Sequence, residues 1–222
     1  MKKSPRIVLL HATPVAMEPI KTSMTQLWPE AEMVNLLDDG LSIDRAKEGP
    51  ELSGSLSDRF VDFGHYAHRM GADGILITCS AFGPAIDRLM AELPIPVLKP
   101  NEAMFREAIS AGHRIGMLAT FGPAVGTMTQ EFEQFVGEGE TAATLETILV
   151  ADAIDLLRKG DAETHNRLVA EQAPRLAGYD AIMLAHFSTS RALNAVRAVV
   201  DVPVLSAPDA AVLRMRSLVS GE

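Results

Sequence analysis

Short apolar runs alternate with longer amphipathic segments along the chain. Residues 6–10 and 75–77 form two such runs, which are rich in aliphatic residues and bounded by turn-forming residues, and this predicts buried strands. Over residues 57–70, apolar side chains recur at steps of three and four, and this spacing indicates a helix. Strands that alternate with helices in this way are typical of α/β proteins.

The same criteria assign most of the remaining chain. They predict strands over residues 6–10, 32–37, 75–77, 94–98, 113–120 and 181–185. They predict helices over residues 16–27, 57–70, 101–110, 145–157 and 163–173, and a further helix that includes Phe132 and Phe135. Residues 41–56 mix glycine, proline, serine and charged residues, so we expect a long loop there, either a mobile lid or a plain surface excursion.

The two halves of the sequence repeat each other. A shift of 107 residues lays residues 71–103 over residues 178–210 without a gap, and the 33 pairs include nine identical residues. Most of the other core positions exchange one apolar residue for another. A shift of 108 likewise lays residues 6–10 over residues 114–118. We therefore expect two copies of one α/β unit.

Cys79 is the only cysteine of the 222 residues, and it lies just beyond the predicted strand 75–77. Ser80 follows it as a candidate N-cap for the next helix. In open α/β sheets, ligands bind beyond the carboxyl ends of the strands, and a nearby helix N-terminus favours anions, including a thiolate. The position therefore favours a reactive thiol, whereas the residue type alone is equally typical of a buried apolar filler.

The repeat gives Cys79 a counterpart, because the shift of 107 pairs it with His186. Two similar units related by a pseudo-twofold axis would present a thiol on one side of a cleft and an imidazole on the other. The equivalent loops after the first strand of each half add Thr13 and Thr120 as polar groups near that cleft. We therefore assign Cys79 and His186 as the candidate catalytic residues.

Composition and charge narrow the classes of function. The 47% hydrophobic and 22% charged residues are ordinary for a soluble globular protein, and the length suits one large domain or two lobes. A formal charge of −9 without a basic cluster argues against nucleic acid as a partner. No run approaches the roughly 18 apolar residues of a membrane span. A single cysteine excludes an internal disulfide framework and a multi-cysteine metal site, and it favours a reducing, cytoplasmic compartment.

Five short segments together carry a family resemblance: residues 75–80, 94–97, 102–104, 114–120 and 180–185, which read ILITCS, PIPV, EAM, RIGMLAT and DAIMLA. Through them the chain resembles the aspartate/glutamate/hydantoin racemase superfamily over nearly its whole length. The resemblance implies an α/β fold of two flavodoxin-like (Rossmann-like) lobes with parallel sheets, related by pseudo-twofold symmetry, with the active site in the inter-lobe cleft. It implies that residues 1–105, with a returning C-terminal helix at 208–222, form one lobe and that residues 106–207 form the second.

Racemases of this family work without pyridoxal phosphate or metal, so we expect no cofactor. They use one cysteine from each lobe on opposite faces of the substrate's α-carbon, whereas this chain carries His186 in place of the second cysteine. Removing an α-proton needs a positioned base on one face, and inversion needs an acid on the other. We predict that Cys79, as a thiolate, and His186, as a protonated imidazole, fill these roles as an ion pair.

Further residues are candidates for substrate binding. Backbone N–H groups around Ser80 and Phe187, at two predicted helix N-termini, would hold a carboxylate. The hydroxyl groups of Thr13, Thr120 and Ser188 would add hydrogen bonds. The resemblance implies that the substrate is a small carboxylate or a cyclic amide such as a hydantoin, and that the protein is a homo-oligomer, either a dimer or a higher assembly.

Other reactions stay open at this point. A single-cysteine decarboxylase or a cis–trans isomerase of the same superfamily would also use Cys79. A pair of Cys79 and His186 also fits an amide hydrolase, although no third group that orients the histidine is evident. A non-catalytic binder of small carboxylates would keep the same cleft. His11, Cys79 and His186 lack the spacing of a metal-binding motif, so we expect no metal.

Overall fold

The computed structural model describes residues 4–48, 51–139 and 142–221. The chain divides into two compact units, Met1–Pro100 with Ala211–Glu222 and Asn101–Ala210. Among the described residues, each unit contains one four-stranded parallel sheet accompanied by helices. The predicted α/β class is therefore confirmed.

The first unit is built on four parallel strands within the described residues. They are β1 (Arg6–His11), β2 (Glu32–Leu37), β3 (Gly74–Ile77) and β4 (Val97–Leu98). The helices are α1 (Met17–Leu27), α2 (Gly40–Arg45), α3 (Gly54–Arg69) and α4 (Gly83–Glu92). Short 3-10 turns follow β1 and β3, at Pro14–Ala16 and Ser80–Phe82. The strands are ordered β2-β1-β3-β4, so β1 and β3 are the two central strands.

The second unit repeats this plan. Its strands are β5 (Arg114–Ala119), β6 (Thr144–Leu149), β7 (Ala181–Leu184) and β8 (Val204–Ser206). Its helices are α5 (Glu102–Ala111), α6 (Val125–Glu138), α7 (Ala153–Arg158), α8 (Ala162–Gln172), α9 (His186–Thr189) and α10 (Leu193–Arg197). The order β6-β5-β7-β8 matches that of the first unit. The last helix, α11 (Ala207–Ser220), runs on into the first unit, to which its residues from Ala211 onward belong.

The central strands are buried because they consist almost entirely of aliphatic residues. All four residues of β3 and of β7 are buried, as are the last five residues of β1 and of β5. Such burial of apolar surface is the main favourable term in folding. The buried polar residues His11, Thr78 and Thr120 lie at or just beyond the carboxyl ends of β1, β3 and β5, where the candidate site residues also lie.

Two glycines meet specific backbone needs in the first unit. Gly71 follows α3 and has a φ of 79°, and its N–H donates to His68 O at 2.9 Å, which ends the helix in a left-handed cap. Gly74 begins β3, and a Cβ atom there would lie 2.6 Å from Met215 Sδ and 3.2 Å from Val219 Cγ2. Glycine therefore lets α11 pack closely against the start of β3.

Two of the predicted elements are wrong. Residues 145–157 were predicted to form one helix, but the structure has β6 up to Leu149 and α7 only from Ala153. Residues 41–56 were predicted to form a loop, but α2 occupies the start of this segment and α3 begins at Gly54. Leu41 is fully buried, which anchors α2 in the core. Gly49 and Pro50 lie outside the described residues.

Candidate active site

The two candidate catalytic residues lie at equivalent strand ends, each within its own unit. Cys79 is separated from the end of β3 by Thr78, and His186 is separated from the end of β7 by Ala185. Each follows a central strand of its sheet at the carboxyl edge. This is the edge where open α/β sheets bind ligands.

Cys79 has an extended backbone, with φ −133° and ψ 123°, and directly precedes the turn Ser80–Phe82. This turn is anchored by Phe82, whose ring stacks on that of Phe60 with 4.7 Å between the centroids. Ser80, which we predicted to cap the helix, is instead the first residue of the turn, and its side chain is buried. Cys79 itself is only partly buried against the core of the first unit, which distinguishes it from the fully buried residues around it.

Burial raises the pKa of the Cys79 thiol. Two features oppose this rise, a hydrogen bond from the backbone of Ala81 and the positive charge of Arg45. Arg45 also contacts the turn directly, because its Nε donates to Ala81 O at 3.4 Å. The effect of burial prevails, so the thiol is protonated at neutral pH. The raised pKa favours the thiol form of Cys79, whereas we predicted a thiolate.

His186 adopts a left-handed backbone conformation, with a φ of 67°, and is the only non-glycine residue with a positive φ in the described part of the chain. This conformation costs roughly 1–2 kcal/mol for a residue that has a Cβ atom. Strain of this kind is concentrated at functional sites, where the surrounding structure maintains it. The backbone of His186 is therefore consistent with a functional role.

The imidazole of His186 lacks a normal hydrogen bond within the described residues. Both ring nitrogens are buried, and neither has a hydrogen bond of normal geometry to another described residue. Burial lowers the pKa of His186 to about 4, and the neighbouring backbone of Ala185 offsets only part of this effect. A pKa of about 4 favours the neutral imidazole at pH 7, whereas we predicted a protonated His186.

Phe121 is the aromatic neighbour of His186 in the second unit. The two rings meet edge to face, with 6.4 Å between the centroids and an angle of 76° between the planes. The guanidinium of Arg158, at the end of α7, lies 5.6 Å from the centroid of the Phe121 ring. The imidazole is therefore flanked by an aromatic edge, and a cation lies on the face of that aromatic ring.

The predicted substrate-binding residues differ in how accessible they are. Thr13 is partly buried, and its side chain does not cap the turn that follows it. Thr120 is buried, and its hydroxyl lies 3.0 Å from that of Thr189 in a mutual hydrogen bond. The side chains of Phe187 and Ser188 are also buried, in the short helix that begins at His186. The structure thus places Thr120 and Ser188 in the same unit as His186, and Thr13 and Ser80 in the same unit as Cys79.

His11 is not free to bind a metal ion, because both of its ring nitrogens have partners. Nδ1 lies 2.9 Å from Thr78 Oγ1, and Nε2 lies 3.0 Å from Asn35 Oδ1. Across residues 4–48, 51–139 and 142–221, no group of three His, Cys, Asp or Glu side chains is arranged to hold a metal ion.

Two arginines near the strand ends were missed by sequence reasoning. Arg45 lies in a segment that we predicted to be a loop, so nothing in the pattern placed it beside Cys79. Arg191 follows α9 in a 3-10 turn, and its buried Nε has no hydrogen-bond partner among the described residues. Burial lowers the pKa of His165 on α8, and the charge of Arg191 lowers it further. Each unit therefore carries a cation near its candidate residue or in the turn that follows it.

A family model described as Asp/Glu/Hydantoin racemase matches residues 41–177. This span is more than half of the 222 residues. The chain belongs to the Asp/Glu/hydantoin racemase family. The match includes Cys79 and ends before His186, so it covers one of the two candidate catalytic residues. No curated protein matches the sequence.

Solved structures of racemases share the fold of this family member. Allantoin racemase from Klebsiella pneumoniae has a TM-score of 0.74 at 20% identity, with 98% of this chain and 88% of that chain covered. Aspartate racemase from Picrophilus torridus has a TM-score of 0.74 at 13% identity, with 98% and 94% covered. A glutamate racemase isoform from Bacillus anthracis has a TM-score of 0.71 at 16% identity, with 100% and 83% covered. At these identities the likeness shows a common fold.

Membership of the Asp/Glu/hydantoin racemase family supports a racemase-type enzyme. Within the described ranges, no helix has both the length and the apolar character needed to cross a bilayer.

Proposed function

We propose that this member of the racemase family is a cofactor-independent racemase or epimerase that acts at the α-carbon of a small carboxylate or of a hydantoin- or amino-acid-like substrate. Cys79 and His186 are its opposed acid and base. The observation that carries the proposal is His186, a neutral imidazole in a strained conformation whose two buried nitrogens have no partner among the described residues. A buried polar group without a hydrogen bond costs about 1–3 kcal/mol. A bound substrate would remove that cost.

The equivalence of the two strand ends supports the pairing. Cys79 and His186 occupy the same position of two repeated units, each two residues beyond a central strand. A repeat that places a thiol at one such position and an imidazole at the other supplies two different proton-transfer groups. These are the two groups that inversion at one carbon requires.

The protonation states of the free protein suit a complete reaction. Neutral His186 takes the α-proton of the substrate and becomes an imidazolium. The Cys79 thiol then gives its proton to the opposite face of the α-carbon and becomes a thiolate. One C–H bond breaks and one forms, so the substrate is inverted without a net gain or loss of protons. The other enantiomer reverses both steps and restores the neutral pair.

An anionic substrate makes His186 a stronger base and favours the protonated form of Cys79. A carboxylate near His186 raises the pKa of the imidazole and makes it a stronger base. A negative charge near Cys79 keeps the thiol protonated before the reaction, and the positive charge of Arg45 stabilises the thiolate that forms. The positive charge of Arg45 favours an anion near Cys79, and Arg191 adds a cation in the turn that follows α9. We therefore favour a substrate with a carboxylate over a neutral cyclic amide.

Backbone and hydroxyl groups complete the proposed binding site. N–H groups around Ser80 and Phe187 hold the carboxylate and the enolate-like oxygen that develops during proton removal. Thr13 and Ser188 add hydrogen bonds to the same oxygens. The hydroxyl of Thr120 is already hydrogen-bonded to that of Thr189, so it would bind the substrate while keeping this bond.

Incubation in deuterated water tests the reaction. Single enantiomers of amino acids and of 5-substituted hydantoins, together with malonates, form the panel. For at least one substrate we expect α-deuterium uptake and loss of optical activity on the same time course. Release of carbon dioxide would identify a decarboxylase instead, and amide cleavage without exchange would identify a hydrolase. Binding without any of these reactions would identify a non-catalytic carboxylate binder.

His186→Cys provides a matched test of the pair, because it restores the two-cysteine pattern implied by the family resemblance. We expect this variant to racemise the substrate at a rate within about tenfold of the parent, since a thiol replaces the imidazole as the second proton-transfer group. His186→Ala supplies no such group, so its racemisation should be lost. Equal rates for His186→Ala and the parent would reject the opposed acid–base pair.

A further inference from the structure

A chain of hydrogen bonds links β2, β1 and the end of β3 just before Cys79. Two of its members, His11 and Thr78, are buried, whereas Asn35 is exposed. His11, on β1, bonds through Nδ1 to Thr78 and through Nε2 to Asn35 on β2. Thr78 Oγ1 also lies 3.3 Å from Leu10 O. We call Asn35, His11 and Thr78 the polar strap.

The strap contains a neutral histidine. His11 is fully buried, and burial lowers its pKa while the hydrogen bond to Asn35 opposes the shift. Asn35 Oδ1 accepts a hydrogen bond, so Nε2 carries the proton of the neutral ring. Nδ1 then accepts from the hydroxyl of Thr78, which shares its single proton between Nδ1 and Leu10 O. Each ring nitrogen of His11 is therefore satisfied by a different strand of the sheet.

The strap acts on Cys79 through the backbone and not through the thiol. Side chains along a strand alternate between the two faces of the sheet. Cys79 packs against the core that contains Leu10 and Ile77. Thr78, between Ile77 and Cys79, therefore points to the other face, where it meets His11. The strap fixes the residue before the thiol without touching the sulfur.

The second unit serves as an internal comparison without a strap. The two repeat shifts place Ala119 and Ala185 where the first unit has His11 and Thr78. The backbone bond between the strands is kept, because Thr78 N–H donates to Leu10 O at 3.1 Å and Ala185 N–H donates to Leu118 O at 2.9 Å. The polar side chains of His11 and Thr78 therefore occur in the first unit and not at the equivalent positions of the second.

The residue that follows differs between the two units. Cys79, after the strapped Thr78, is extended with a φ of −133°. His186, after Ala185, is left-handed with a φ of 67°. The unit that carries the thiol therefore has both the strap and an extended strand end.

We propose that His11 is a positioning residue for Cys79. Through Thr78 it holds the backbone beyond β3 in the extended conformation, and this keeps the thiol partly buried against the core. The catalytic importance of that setting rests on the proposed function. The hold of the strap on Cys79 is a property of the free protein and is measurable without substrate.

The first test is alkylation of the thiol in Thr78 variants. Cys79 is the only cysteine, so the rate at which iodoacetamide modifies the folded protein reports on this residue alone. Thr78→Val removes the hydroxyl but keeps the shape of the side chain. We expect Thr78→Val to react at least about threefold faster than the parent at pH 8, with the midpoint of its pH profile at lower pH, because a loosened strand end exposes the thiol. Thr78→Ser keeps the hydroxyl and should react like the parent.

Two substitutions of His11 separate its two bonds. His11→Asn places an amide near the position of Nδ1, which keeps the bond to Thr78. His11→Gln places an amide near the position of Nε2, which keeps only the bond to Asn35. We expect His11→Gln to react like Thr78→Val and His11→Asn to react like the parent. Combining His11→Gln with Thr78→Val should add nothing further, because both changes remove the same bond.

Thr189→Val controls for a general loss of stability. It removes a buried hydroxyl bond from the second unit, where Thr120 and Thr189 lie 3.0 Å apart. Its alkylation profile should match that of the parent, and circular dichroism checks that every variant is folded. With a racemised substrate, the strap variants should lower kcat roughly tenfold and change KM by less than about twofold, as expected for a misplaced catalytic group.

The outcomes of these tests separate the two proposals. If Thr78→Val and His11→Gln have the alkylation profile of the parent, the strap does not position Cys79 and the inference is rejected, whatever the enzyme catalyses. If both variants react faster while the parent exchanges no α-proton, the proposed function is rejected and the role of the strap stands.

Discussion

The strand ends that carry Cys79 and His186 come from one repeated unit, yet their surroundings differ. Cys79 is extended, lies after the polar strap, and is approached by the backbone of Ala81 and the charge of Arg45. His186 is left-handed and has no hydrogen-bond partner of normal geometry among the described residues. The repeat therefore determines where a reactive side chain lies, whereas its surroundings depend on residues that differ between the two copies.

The largest expected effect is on the rate of racemisation. It distinguishes Cys79 from His186 by the enantiomer on which each acts. Cys79→Ala leaves His186 to remove the α-proton of one enantiomer. His186→Ala leaves Cys79 to act on the other enantiomer, but only in the molecules in which Cys79 is a thiolate. Racemisation should fall by about a thousandfold in both variants, because general acid or base catalysis is lost on one face. Proton NMR in deuterated water should show residual α-exchange of opposite enantiomers in the two variants. Exchange of the same enantiomer by both would contradict the opposed arrangement.

The next effect is on the free energy of unfolding. Its contributions from His186 and Cys79 depend on pH in opposite directions. The pKa of His186 is about 4 in the folded protein, below the ordinary histidine value of about 6.5. Between these values the unfolded chain binds a proton that the folded protein does not. The free energy of unfolding should therefore decrease as the pH falls from about 6.5 to about 4, by roughly 3 kcal/mol from this residue.

Cys79 behaves in the opposite sense. Its raised pKa means that the folded protein keeps a proton that the unfolded chain releases above about pH 8.5. Stability from this residue should therefore be lost as the pH rises through that range. Urea unfolding across pH should show a weaker acid dependence in His186→Asn and a weaker alkaline dependence in Cys79→Ser. A variant with the same pH dependence as the parent would show that the pKa of its residue is not shifted.

The smallest effect tests the two backbone conformations. His186→Gly should be more stable than His186→Ala by about 1 kcal/mol, because glycine adopts a positive φ without strain. Cys79→Gly should be less stable than Cys79→Ala by about 0.5–1 kcal/mol, because an extended residue gains nothing from that freedom. Thermal unfolding of the four variants measures both differences. The same order at both positions would contradict the difference in conformation.

The α/β class was predictable because the central strands are short aliphatic runs with turn residues at both ends. The edge strand β6 was missed for a physical reason. Leu145, Ile148 and Leu149 are spaced by three and four, which fits a helix, and the sequence TLETIL does not alternate strictly between apolar and polar residues. The repeat contained the missing signal, since β2 follows β1 in the first unit as β6 follows β5 in the second.

The positions of the candidate residues were predictable, but their states were not. Sequence spacing placed Cys79 and His186 at equivalent strand ends, because the repeat has no gap between the strand and the residue that follows. Their pKa values depend on burial, which is a property of the folded chain. The left-handed backbone at position 186 was not predictable, because the residue there is a histidine and not the glycine or asparagine that usually adopts this conformation. Arg45 reaches Cys79 from a segment whose polar composition predicted only a loop.

The close packing of α11 on β3 has a consequence for how the protein is made. Met215 and Val219 lie against Gly74, at the start of the strand that leads to Cys79. The ribosome adds these residues only after the whole second unit, which is contiguous from Asn101 to Ala210. The nascent second unit therefore has all of its residues while the first still lacks one of its helices. We expect the unit whose synthesis starts first to be the last to reach its final packing.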